Sequence, residues 1–216
     1  MAMIRCNQKN CIAIFIVTIV CLLFLFTIAG TLSAQEMSLF SFGKGKIQVR
    51  LYTDYFCGPC RNLEPKIEDS IINLVKNNIA TIIFIDTPFH KNTTLYAQYF
   101  LYILNDNKTI GNALKARNAL FEASRIPIED REKLETFLQV KSLKFKTFDT
   151  KPVFGTLQGY IRDDRITSTP SCVIMNGNKK DVFSGDENIL KALENLNQTS
   201  RRGDDGTSRN KRKRNP

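Results

Sequence analysis

Two kinds of hydrophobic pattern divide the chain. Cys11–Ala29 reads CIAIFIVTIVCLLFLFTIA, 19 residues without a charge. A helix of that composition is apolar all round, which suits a bilayer and not the surface of a soluble domain. From residue 46 onward the pattern becomes periodic. Ile47, Val49 and Leu51 alternate with polar residues in Lys46–Tyr52, the mark of a half-buried strand. Leu63, Ile67, Ile71 and Leu74/Val75 recur at helical spacing to about Lys76. Pro65 sits inside that stretch and predicts a kink. Ala80–Ile85 is a continuous apolar run rich in β-branched residues, as a central strand would be. The first half therefore reads as a βαβ unit.

About eighty residues of helical pattern follow. Leu95, Tyr99 and Tyr102/Ile103 share one face of a first helix. Ile110, Ala113/Leu114, Arg117 and Leu120/Phe121 mark a second, which Pro127 stops. Ile128, Leu134 and Phe137/Leu138 mark a third, and Pro152 is placed to begin a fourth, with Val153/Phe154, Leu157 and Tyr160/Ile161 on its apolar side. The end returns to sheet: Ser171–Met175 reads as a strand, Asn176-Gly177 as a hairpin turn, and Val182–Phe183 as its return. Ile189, Leu190, Leu193 and Leu196 form a closing amphipathic helix. The order predicts one α/β domain over 35–200, with a helical insertion at about 91–150.

Charge refines the view of the two ends. The formal net charge is +10, but residues 201–216 hold seven Arg or Lys against two Asp, and Arg5 and Lys9 precede the apolar run. The basicity belongs to the ends, so it is no sign of a nucleic-acid-binding core. Positive charge before the run keeps the N-terminus in the cytosol and exports the rest. Residues 1–34 read either as a signal peptide, with Thr31-Leu32-Ser33 as small-residue cut site, or as an uncleaved membrane anchor. The tail from 201 has no apolar residue and reads as disordered.

Cysteine carries the chemistry. Cys6, Cys11 and Cys21 lie in or before the apolar run, which leaves Cys57, Cys60 and Cys172 to the exported part. Three cysteines allow one pair and one leftover. Cys57-Gly58-Pro59-Cys60 falls between a strand and a helix. At a helix start, free backbone N–H groups and the macrodipole favour a thiolate, which is the attacking species in disulfide exchange. Cys57 is expected to be the exposed nucleophile and Cys60, one turn in, the resolving thiol. A zinc site needs two further ligands, and only Cys172 and His90 remain. A purely structural bridge across two residues constrains little of the unfolded chain.

The strand, the CGPC and a helix with Pro65 eight residues after Cys57 resemble the thioredoxin superfamily. Ile166-Thr167-Ser168-Thr169-Pro170 before a strand is similar to that family's cis-proline loop. The resemblance implies that Thr169 and Pro170 face the sulfurs and form the substrate-docking edge. The helical block resembles the DsbA-like branch of exported thiol–disulfide oxidoreductases, as do Asp54-Tyr55-Phe56-Cys57 and Pro88-Phe89-His90. The likeness runs over about Lys46–Asn197. It implies a thioredoxin-like fold with a helical insertion, protein thiol or disulfide substrates, a membrane redox partner, no metal or organic cofactor, and the periplasm of a bacterium.

Three departures stand out. Leu51 occupies the position where many superfamily members carry a buried acid. The central dipeptide is Gly-Pro, where strongly oxidising relatives typically have Pro-His, which argues for a less oxidising pair and leaves the direction of exchange open. Cys172 lies two residues past Pro170 and reads as a small buried residue. His90, the only histidine, reads as structural or surface, and Arg61 as a solvated first-turn residue. Two further functions remain open: a non-catalytic thioredoxin-like binding module, and a thiol-based metal chaperone.

Overall fold

The structure, a computed structural model, describes residues 39–126 and 128–211. The apolar run Cys11–Ala29 and the expected cut site lie outside the described residues. Among the described residues no helix is long and apolar enough to cross a membrane.

Five strands form one mixed sheet: β1 (Ser41–Phe42), β2 (Ile47–Thr53), β3 (Ala80–Asp86), β4 (Ser171–Asn176) and β5 (Lys179–Ser184), in the order β1-β3-β2-β4-β5. The helices are α1 (Gly58–Lys76), α2 (Thr93–Asp106), α3 (Ile110–Ala123), α4 (Arg131–Val140), α5 (Lys151–Asp163) and α6 (Asp186–Lys211). β2 and β3 run parallel because α1 carries the chain back between them. β4 runs antiparallel to β2, with Tyr52 opposite Ser171. That register places the residues just before β4 beside the residues just after β2. Here the active-site candidates meet.

β2 departs from the sequence expectation. Alternating polarity predicts a half-buried strand, yet β2 is central and covered on both faces. Val49 and Leu51 face a core shared with α1, α2, α3 and α6. Tyr52 faces a second core with Ile83, Ile85, Val153 and Leu157, beneath α5. Arg50 is tolerated there because its guanidinium pairs with Asp164 at 2.9 Å and stacks on the Tyr160 ring at 4.4 Å. Lys180 also reaches Asp164, at 2.8 Å, and the Tyr52 hydroxyl donates to the same carboxylate. A polar cluster thus fastens α5 to the sheet.

The other elements fall near their expected places. The two-residue β1 carries too little pattern to be read from sequence. α1 runs unbroken through Pro65 and begins at Gly58, earlier than its apolar stripe. The β4–β5 turn is centred on Gly177-Asn178, one residue later than expected, because Asn176 still pairs with Lys179. Gly177 supplies φ +59° as the first central residue. α6 continues to Lys211, into the stretch read as a tail. Among its described side chains, Ile189, Ala192 and Leu193 are buried.

Candidate functional site

β2 ends at Thr53, and the next three residues turn the chain into α1. The Asp54 carboxylate anchors this turn by accepting from the Phe56 N–H at 2.8 Å, while the Cys57 N–H donates to the Asp54 carbonyl at 3.1 Å. Cys57 is then the N-cap of α1, with extended φ −75° and ψ 117°, and its Sγ accepts from the Cys60 N–H at 3.2 Å. A sulfur here does what a serine or aspartate oxygen does at other helix starts. Pro59 fits the first turn, where its missing N–H is no loss.

The second wall is the loop before β4. The Thr169-Pro170 peptide bond is cis. The Thr169 carbonyl lies 3.3 Å from Cys57 Sγ and accepts from it when that sulfur is protonated. The structure therefore brings together all four candidate residues, Cys57, Cys60, Thr169 and Pro170, around one sulfur. Cys57 is not the exposed residue expected: it is 7 % accessible, against 0 % for Cys60. The Thr169 carbonyl lies against its sulfur. Cys60 is fully covered, one turn into the helix.

Electrostatics separates the two sulfurs. Hydrogen bonding from the Cys60 thiol holds the Cys57 pKa down at about 6, helped by the Thr169 side chain and the Cys60 backbone N–H against burial and the charge of Asp54. The Cys60 thiol is pushed well above the ordinary range, first by that same hydrogen bond and then by burial. One sulfur is ionised at neutral pH and its neighbour is protonated. Both are free thiols.

Asp54 also ties a third segment to the site. Its buried carboxylate accepts from the Phe89 N–H at 2.9 Å and the His90 N–H at 3.0 Å, and His90 Nδ1 lies 3.0 Å from Oδ2. The Phe56 ring packs edge-on against Tyr96 at 4.9 Å and lies 6.3 Å from the His90 ring. Phe89 projects into solvent.

Leu51, at the position where the superfamily resemblance leads one to expect an acid, is buried opposite Cys172. Burial alone pushes the Cys172 thiol up to about 12. The buried acids lie elsewhere. Arg117 of α3 is completely buried, and its guanidinium bonds Glu64 of α1 at 2.5 and 2.8 Å, Thr53 at 2.8 Å and Asp86 at 3.5 Å. The Tyr55 hydroxyl donates to Asp86 at 3.2 Å. Burial raises the Asp86 carboxyl to about 6 against the pull of Arg117. This cluster joins the ends of β2 and β3 to α1 and α3 behind the cysteines. Sequence reasoning missed it; an arginine within the apolar stripe of the second helix was the available signal. Arg61 contributes nothing visible to the sulfurs, and its Nε is buried without a partner. Among the described residues no group of three or more His, Cys, Asp or Glu side chains converges as a metal site.

The sequence matches no known family profile and no curated protein. Its structure does resemble solved ones. A periplasmic thioredoxin-like protein from Salmonella enterica serovar Typhimurium superposes with a TM-score of 0.57 at 19% identity, covering 74% of this chain and 87% of that one. Alpha-DsbA1 of Wolbachia pipientis gives 0.56 at 14% identity, covering 74% and 91%. ScsC of Proteus mirabilis gives 0.57 at 19% identity, covering 89% and 95%. At such identities the likeness speaks for architecture. With the strand–CGPC–helix unit, the cis-proline loop and the helical insertion, the chain has the DsbA-like thioredoxin fold.

Proposed function

We propose that this protein is a thiol–disulfide oxidoreductase that exchanges disulfides with protein substrates outside the cytoplasm. The observation that carries this reading is the pairing at the start of α1: Cys57 Sγ accepts from the Cys60 N–H and has its pKa held down at about 6, while the Cys60 thiol is fully buried with its pKa pushed up. The Cys57 thiolate attacks one sulfur of a substrate disulfide, forming a mixed disulfide and expelling the other sulfur as a thiolate that takes up a proton. Cys60 then loses its proton and attacks Cys57 Sγ. The Cys57–Cys60 disulfide forms, and the second substrate sulfur leaves as a thiolate and is protonated. The substrate gains two electrons and the protein loses two; the reverse sequence oxidises a substrate dithiol. Thr169 and Pro170 form the edge along which the substrate docks.

Localisation follows the same reasoning. The basic residues before Cys11–Ala29 favour export of residues 39–211, and the Salmonella neighbour is described as periplasmic. We assign the domain to the periplasm, delivered by that segment as signal or tether, with a membrane redox partner that resets the pair. Insulin reduction by the wild type and by Cys57→Ser tests the reading; equal rates would defeat it. The reduction potential of the pair fixes direction: near about −270 mV it reduces, near about −120 mV it oxidises.

A further inference from the structure

Apolar side chains left in solvent are informative when they gather beside a site. Among the described residues Phe89, Ile126, Val140 and Val182 are the large apolar side chains that stand exposed. Two of them belong to segments fastened to the turn that carries Cys57. The Phe89 N–H donates to the Asp54 carboxylate at 2.9 Å, and the Phe56 N–H donates to the same carboxylate at 2.8 Å. The Phe89 N–H also donates to the Thr87 carbonyl at 2.8 Å, so its backbone is held while the residue stays 49 % exposed. Ile126 follows Ser124, whose hydroxyl donates to the Tyr55 carbonyl at 2.6 Å, and precedes Ile128, whose carbonyl accepts from the Tyr96 hydroxyl at 3.1 Å. Tyr96 packs in turn on the Phe56 ring at 4.9 Å. Phe56, half-buried and directly before the nucleophile, is thus joined to both segments.

We propose that Phe89, flanked by Phe56 and Ile126, is a specificity-determining residue that receives an apolar side chain next to the reacting cysteine of a protein substrate. The inference rests on the oxidoreductase reading of the site. The occupant follows from the chemistry. A disulfide bonded to Cys57 Sγ brings the residues that flank the substrate cysteine over the neighbours of Cys57. Of these, Gly58 and Pro59 are exposed and uncharged, and the Phe89 and Ile126 side chains add apolar surface. A polar flanking residue gains nothing from that surface, whereas an apolar one removes two apolar surfaces from water. Because the backbone under Phe89 is already fixed, little further ordering is lost on contact. Aromatic side chains are the common anchors of such contacts.

The test uses the reduced full chain and two peptides that differ only beside their single cysteine, Leu-Cys-Leu against Ser-Cys-Ser, each as a mixed disulfide with thionitrobenzoate. The Cys57 thiolate attacks the peptide sulfur, the bond from that sulfur to thionitrobenzoate breaks, and thionitrobenzoate leaves as a coloured thiolate whose release gives the rate. Each rate is divided by that of the same peptide with free glutathione, and the ratio between peptides is read, because a merely structural loss slows both alike. The wild type is expected to favour the leucine peptide about three- to tenfold, the effect of burying part of an apolar side chain. Phe89→Ser should bring the ratio close to one, Phe89→Leu should keep most of it, and Val140→Ser should leave it whole. A wild-type ratio near one overturns the inference, as does an undiminished ratio in Phe89→Ser or an equal loss in Val140→Ser. Wild-type dimers that Phe89→Ser abolishes would give the surface to a second copy of the chain and overturn it too. Failure of the oxidoreductase reading looks different: neither peptide would release thionitrobenzoate faster with the wild type than with Cys57→Ser, and both readings would fall together.

Discussion

Cys57 Sγ lies 3.3 Å from the carbonyl oxygen of Thr169, a residue 112 positions further along the chain. No local pattern joins them. They meet because β4 runs antiparallel to β2 with Ser171 opposite Tyr52, so the loop entering β4 covers the turn leaving β2. The Thr169 side chain also hydrogen-bonds to the sulfur and helps to hold the Cys57 pKa down. Thr169→Val keeps the shape and removes the hydroxyl. Alkylation of Cys57 at pH 5 should slow about three- to tenfold, as loss of one hydrogen bond to a charged group implies. An unchanged rate would show that the Thr169 hydroxyl does not stabilise the thiolate.

The two thiols should differ in solution as they do in the structure. With Cys57 ionising at about 6 and Cys60 raised, iodoacetamide at pH 7 should modify Cys57 and spare Cys60 in the folded reduced protein. Cys60→Ser should trap mixed disulfides with substrate that the wild type resolves. If Cys60 is modified as fast as Cys57, the division of labour between the two sulfurs is wrong.

Linkage gives a prediction with a definite sign. The folded-state pKa of Cys57, about 6, lies below the unfolded value of about 8.5. Its contribution to stability is fully present above the unfolded value and is lost as pH falls through the folded one. The raised Cys60 pKa works against the fold above about 8.5, where the unfolded thiol ionises and the folded one does not. Thermal melts of the reduced protein should therefore gain on those of Cys57→Ser as pH rises from 6 to 8. A constant gap between the two would refute a depressed Cys57.

The buried cluster behind the cysteines makes a stability prediction. Arg117→Leu removes the only guanidinium between Glu64 and Asp86 and leaves carboxylates buried without a countercharge. Breaking a buried pair from one side costs about 3–5 kcal/mol. Chemical denaturation should show that loss. Arg117→Met with Glu64→Met should recover only part of it, because apolar packing replaces the Arg117–Glu64 pair but Asp86 stays buried without its guanidinium. Arg117→Lys should not rescue, since lysine cannot make the forked contacts to Glu64 and Thr53.

What the sequence revealed and what it concealed have physical causes. The βαβ start, the helical block and the final hairpin were legible because periodic apolar positions report the face that each element buries. Cys57 and Cys60 were legible because their function lies in local spacing at a helix start. The second covered face of β2 was not, because Arg50 looks like a solvent-facing residue until Asp164 arrives from 114 positions away. Asp54 could be seen but not placed: its donors at Phe89 and His90 come from across the sheet. Arg117 has the same explanation, since its three partners lie on three other elements.

Cys172 is the remaining thiol of the folded domain. It sits in β4 with Leu51 on one side and Phe183 on the other, fully buried, and its thiol is pushed up to about 12 by that burial. Nothing lowers its pKa, so it has neither the ionisation nor the access that exchange requires. It should resist alkylation at pH 8 while the protein is folded and react once denatured. Cys172→Ala leaves a small void and should cost about 1 kcal/mol. Insulin reduction by that variant should match the wild type. A marked loss of exchange with stability intact would place a third sulfur in the reaction and require Cys172 to approach the Cys57–Cys60 pair during turnover.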